Sequence, residues 1–210
     1  MNATHISHGP LLLAGVAAGL LFFIVPTIEM FRRPGFDIAR HAISMLSLGE
    51  GGWIMKSVFV VSGILTLACA VGLHMRLAPG WIALAAALLI GAYGLGLVIA
   101  GVFDAPAGLG FPAGTPLDQQ PVMTTSATLH GVGFMVAFSG LILACFVFAV
   151  HFLQMGQMLW LAASLAAGIA MPVLVVLGMS MKIAPGIAFY WAAMIGWLWL
   201  GAMVLKLSEQ

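Results

Sequence analysis

"WIALAAALLIGAYGLGLVIAGVF", Trp81 to Phe103, decides how the rest of the chain is read. It carries no charge and no proline, and it is long enough for the ~20 apolar residues that an α-helix needs to cross a bilayer. In lipid every backbone polar group needs an internal partner, so only helices and closed barrels span. The run lacks the apolar-polar alternation of a barrel strand and is therefore a transmembrane helix. Working outward, five more such runs appear: Leu11 to Met30, Trp53 to Met75, Thr128 to His151, Met158 to Ser180 and Ile187 to Lys206. Of the 210 residues, 63% are hydrophobic and 6% charged, against roughly 25% charged in soluble domains. The fold class that follows is all-α: a six-helix transmembrane bundle forming a single integral membrane domain over 1–210.

The segment "MNATHISHGP" ahead of the first run has no Lys or Arg and no clear small-residue cleavage site follows the run, so the run reads as a retained helix, not a signal peptide. Cys69 and Cys145 fall in mid-span and read as small packing residues. With no basic tract and no phosphate-binding motif, nucleic acid and nucleotides are not expected as partners. The expected partners are the lipid bilayer of a cell membrane and a lipid or small-molecule ligand.

The connectors sort the polar residues. Since each span switches sides, the connectors after spans one, three and five share one face, the working face. Glu29, Asp37, Glu50, Asp104 and Asp118 fall there with Arg32, Arg33, Arg40, Lys56 and Lys182, whereas Glu209, Arg76 and Lys206 lie at the other face. Taken literally, the positive-inside rule makes the working face cytoplasmic, but so small a count does not orient the chain. Small residues (Gly15 and Gly19, Ser164 and Gly168, and the glycines of the third span) predict close helix approach, with the third helix central. Trp53, Trp81, Trp191 and Trp199 are placed as interfacial anchors.

Two working-face segments hold the candidate chemistry. "DIARHAISMLSL", from Asp37, read as a short amphipathic helix, puts Asp37, Arg40, His41, Ser44 and Ser47 on one side. Asp37 is its expected N-cap. The plain account of this helix is an interfacial one lying on the bilayer; the functional account makes it the wall of a pocket. The second segment runs from "GVFDAPAGLGFPAGTPLDQQP" to "SATLHG", too long for a turn and too rich in Pro and Gly for regular structure, as lids and binding loops often are. Asp104 closes the third span and His130 opens the fourth, at one depth, with Ser126 or Thr128 as the expected cap.

Arg40, His41, Ser44, Asp104 and His130 are thus the pocket candidates. Asp104, His130 and His41 together have the donor types of a divalent metal site such as zinc, which would suit hydrolysis of a lipid amide or ester. No local ligand spacing such as HExxH supports it. His74 and His151, at matching ends of the second and fourth spans, are the candidates for bis-histidine haem in a redox subunit. A hydrogen-bonded cluster without metal is the simpler reading of the working-face residues. The spans carry no buried midspan charge of the kind transporters use.

The segments "GFDIARHAISMLSLGEGGW", "AGVFDAPAGLGFPAGTP" and "LHG" together resemble the prokaryotic multi-pass membrane proteins grouped as domain of unknown function 998. The likeness covers nearly the whole chain. It implies a six-span fold and points to Ser44, to Phe103 with Asp104, and to His130, more than to His41. It implies no reaction. The expected function is therefore a one-sided polar pocket that binds a small molecule or a lipid headgroup.

Overall fold

A computed structural model of the chain describes residues 8–209. Residues 1–7, part of the segment read as leaderless, lie outside the described residues. Six long helices follow one another: α1 His8–Arg32, α2 Gly52–Leu77, α3 Trp81–Val102, α4 Thr125–Gln154, α5 Met158–Met179 and α6 Pro185–Ser208. Each is long and apolar enough to cross a membrane, and each contains the expected span almost to the residue. Large apolar side chains such as Leu20, Leu88, Leu143 and Leu198 face outward. Helices that are apolar all round belong in a bilayer, and this is an integral membrane protein with six spans.

The helices form a closed ring in which each packs on its sequence neighbours and α6 returns to α1. Glycine sets the closest approaches. A Cβ at Gly63 of α2 or Gly94 of α3 would stand 2.7 Å from the other's carbonyl oxygen, and Gly96 and Gly133 oppose each other across α3 and α4 in the same way. Gly15 of α1 faces the Cys69 thiol of α2, and Gly19 faces Trp197 of α6. Without lipid-excluding hydrophobic force between spans, such backbone proximity is a main source of helix association.

Three expectations need correction. The most buried helix is α6, not α3, because Trp197 fills the ring's axis, its ring 5.0 Å from Tyr93 and 5.5 Å from Phe22. Trp199 is no interfacial anchor: it is buried and donates its indole N–H to Ser164 Oγ at 3.0 Å. Trp53, Trp81 and Trp191 are exposed, as anchors should be. The third correction concerns the segment after α1. Instead of an amphipathic α-helix it is a turn followed by a 3-10 helix, Ile43–Ser47. Asp37 Oδ1 accepts from the Ala39 N–H at 2.9 Å, and the Asp37 N–H is itself donated to His41 Nδ1 at 2.9 Å. Side chains that capture nearby backbone groups in this way compete with the helical ladder.

Packing differs between the two ends of the ring. At the end holding the tight turns, Phe148, Phe152, Leu200, Met203 and Leu207 are all fully or almost fully buried. At the working-face end several inward positions are small, Ala127, Gly131 and Ala137 on α4, Ala100 on α3 and Ala193 on α6, and they leave space between the larger side chains there. The core is dense at one end and hollow at the other.

Candidate functional site

The three working-face connectors fold onto one another as a cap. His41 is buried and holds two of them together: its Nδ1 accepts from Asp37 N–H, so the proton sits on Nε2, which donates to the Leu109 carbonyl at 2.9 Å. Its ring also packs near Phe36 and Phe111, each at 5.4 Å. Arg33, adjacent to the end of α1, donates from Nη1 to the Leu46 carbonyl at 2.8 Å and from Nη2 to the Leu48 carbonyl. Its guanidinium lies 5.5 Å from the centre of the Phe111 ring. The first turn of α6, directly after the third connector, joins at Gly186, where any side chain would collide with the carbonyls of Ile38 and His41.

Beneath this cap lies a cavity of about 460 Å³ that reaches down between the helices and is open along part of its length, a volume typical of small-molecule sites. Its walls are overwhelmingly apolar. Phe22 and Phe59 line it from α1 and α2, Leu97 from α3, Phe134 and Phe138 from α4, and Phe189 from α6. Along α4 it runs from Ala127 to Phe138, about 16 Å at 1.5 Å per residue. Polar side chains are few: Arg40 and Ser44 from the first connector, Gln120 from the second, His130 on α4 and Tyr93 on α3. Leu109 and Met181, the two non-glycine residues with left-handed backbone among those described, with φ of 55° and 56°, both line it. Such residues are held by their surroundings at a cost of about 1–3 kcal/mol, and they concentrate at ligand sites.

The side of the cavity between α4 and α6 is bridged by aromatic rings, Phe134 and Phe189, 5.8 Å apart. Helix α5 meets α4 at Gly168, against Cys145 and Phe146, but at Gly178 its close neighbours are Ala188 and Phe189 of α6. Pro172 lies between these two contacts, where the missing N–H lets a helix bend.

Of the five sequence candidates, the structure gathers three. Arg40, Ser44 and His130 line the cavity, whereas His41 and Asp104 do not. Arg40 is loosely paired with Asp37, Nε to Oδ2 at 3.6 Å with both side chains about half exposed, so its guanidinium is free to turn to another partner. Asp104 points elsewhere, to Lys56 Nζ at 2.6 Å, and its backbone N–H is donated to Ser126 Oγ at 2.8 Å. That leaves the N-cap of α4 to Thr124, whose hydroxyl accepts from Ala127 N–H at 3.1 Å, not to Ser126 or Thr128.

The same geometry gives each of the three metal candidates a different partner. His41 has no free nitrogen, Asp104 is committed to Lys56, and His130 Nδ1 lies 2.9 and 3.1 Å from the carbonyls of Ala100 and Phe103. Among the described residues no three His, Cys, Asp or Glu side chains are grouped to hold a metal ion. Of the two haem candidates, His151 lines a small surface pocket with Trp81 and Gln154, and His74, exposed on α2, is not among the residues lining it.

Sequence reasoning missed Tyr93, Gln120 and Arg33. Tyr93 is one of two tyrosines in the chain and sits in mid-span, a signal that was available; the roles of Gln120 and Arg33 depend on how the connectors fold.

The family model described as Protein of unknown function (DUF998) matches residues 16–206. No curated protein and no solved structure matches the chain.

Proposed function

We propose that this chain, which belongs to the DUF998 family, binds a single membrane amphiphile, with its hydrophobic chain in the cavity and its polar head at Arg40 and Ser44. The observation that supports this reading is the cavity itself: apolar walls over about 460 Å³, with a cation and a hydroxyl near the connectors. A headgroup alone would leave those walls without an apolar partner, and a purely apolar molecule would make no use of Arg40. An anionic or strongly polar head suits a guanidinium that is held only by a half-exposed carboxylate. Because the ligand already dissolves in the bilayer and the cavity is open, no aqueous transfer is required. The activity served by binding is that of a lipid-responsive or lipid-presenting membrane subunit.

The test fills the cavity without disturbing the helices. Gly131 lines it, and a Cβ added there meets nothing within 4 Å. Gly131→Phe is expected to keep the wild-type melting temperature and to lose amphiphile, measured by mass spectrometry of solvent extracts from purified protein. Equal lipid recovery from a folded Gly131→Phe protein would reject the cavity as the binding site.

A further inference from the structure

We infer that the cavity selects amphiphiles bearing a hydroxyl on the hydrophobic chain, and that His130 is the residue that recognises it. This rests on the amphiphile reading above and goes beyond it by naming the chemistry that distinguishes one chain from another.

The argument begins with a tautomer. His130 Nδ1 faces two carbonyl oxygens, those of Ala100 at 2.9 Å and Phe103 at 3.1 Å. A carbonyl cannot donate, so Nδ1 carries the proton and Nε2 of the neutral ring is an acceptor. The two carbonyls are at the end of α3, where the last turn leaves such groups without helical partners. His130 thus satisfies the end of one helix while standing on another, and its ring is fixed by doing so. The ring is 6% exposed, lines the cavity, and its Nε2 has no hydrogen-bond partner among the described residues. Phe59 stands edge-on to it at 6.1 Å.

A second unpartnered group lies further in. The Tyr93 hydroxyl makes no hydrogen bond among the described residues, although Tyr93 is 2% exposed and also lines the cavity. It precedes Ala100 by about two turns of α3, which puts it roughly 10 Å deeper in the bundle. Neither His130 Nε2 nor the Tyr93 hydroxyl is among the fully buried polar atoms without a partner in the described residues, which are Ser47 Oγ, Gln157 Oε1 and Trp197 Nε1; both are therefore reached from the cavity, where a ligand group can supply the missing hydrogen bond. The two groups are of complementary use. An acceptor at a fixed place requires a donor from the ligand, and a hydroxyl is the donor that an otherwise apolar chain most readily carries. The contrast with His41 strengthens the assignment: there both ring nitrogens are used by backbone groups, and the ring does not line the cavity.

Sites built to hydrogen-bond a ligand group discriminate well against analogues that lack it, because the site is then left unpaired. The experiment compares stearate with a series of hydroxystearates, the hydroxyl moved stepwise along the chain and each paired with its methyl ether, by competition for radiolabelled stearate on the purified full-length protein. One or two positions are expected to bind about tenfold more tightly than their ethers. His130→Asn, whose amide keeps a donor toward the Ala100 and Phe103 carbonyls while removing the Nε2 acceptor, is expected to melt like the wild type and to lose that preference. Tyr93→Phe is expected to weaken it only for hydroxyls deeper in the chain. Alcohol and ether binding alike at every position in the wild type would overturn the inference while leaving the cavity reading intact; so would a preference that survives in His130→Asn at positions that Tyr93→Phe does not affect. Failure of stearate to bind at all, or to be displaced by Gly131→Phe, would remove the cavity reading and this inference with it. The ether comparison requires no variant, so it stands even if His130→Asn does not fold.

Discussion

The two ends of the helical ring use the same six helices for opposite purposes. At the turn end Trp199, Phe148 and Phe152 stack inward, with Phe148 and Trp199 centroids 5.7 Å apart, and Trp199 is tied to Ser164 of α5. At the connector end the same helices set alanine and glycine between the aromatic side chains that face inward, and the space left there is bordered by Leu109 and Met181. The difference teaches that a membrane bundle need not be uniformly packed: one dense end can hold the ring closed while the other stays open. Histidines divide along similar lines. His41 is spent on holding the cap together, and His130 retains a free acceptor where the space is.

The largest test of this contrast is the same aromatic truncation made at both ends. Trp199→Ala removes a buried ring and a hydrogen bond, and its cost should approach the ~3–5 kcal/mol typical of large-to-small core changes. Phe134→Ala, beside existing free space, should cost under about half as much. Unfolding titrations in mixed micelles measure both, and equal losses would break the division into dense and hollow ends.

Next in size is a pair of glycines on α4. Gly133→Ala would force a Cβ to within 2.8 Å of the Gly96 carbonyl, whereas at Gly131 nothing lies within 4 Å. Overpacking predicts a loss of about 1–3 kcal/mol for the first and a change within about 0.5 kcal/mol for the second. If Gly131→Ala were as harmful, the gap at that position would not exist in the folded protein.

His41→Ala should come third, costing about 1–3 kcal/mol by leaving the Leu109 carbonyl and the Asp37 N–H unpaired. Its more telling effect is local: faster proteolysis within residues 103–124 than in the wild type, with spans still protected. Uniform loosening of the whole bundle would contradict a cap held separately from the ring. The smallest effect is expected for Lys56→Met. Its partner Asp104 is about half exposed, and exposed pairs contribute about 0–1 kcal/mol, so the change in melting temperature should be slight and should shrink with added salt.

Much of this was legible from residue order alone, for identifiable reasons. Span limits follow from runs such as Trp81 to Phe103, because a bilayer leaves the backbone no alternative to a helix. The close approaches at Gly94 and Gly96 follow from the lack of side chains. The one-sidedness of the charge follows from counting crossings. The 37–48 segment was misjudged because its apolar period is helical while its Asp37 and His41 side chains take over the local backbone bonds. Asp104 and His130 were correctly placed at one end, but spacing says nothing of direction: one side chain turns to Lys56 and the other inward.

What the sequence by itself determined is an all-helical, six-span membrane protein whose polar residues gather at one face, since hydrophobic length and crossing parity are properties of the chain read in order. What only the tertiary structure decided is that this face covers a largely apolar cavity, with Arg40, Ser44 and His130 on its wall and with His41 and Asp104 turned to other partners. The reason is physical. The cavity opens where small residues on separate helices leave room among larger ones, and each of those alanines and glycines, read in its own span, is indistinguishable from ordinary helix packing.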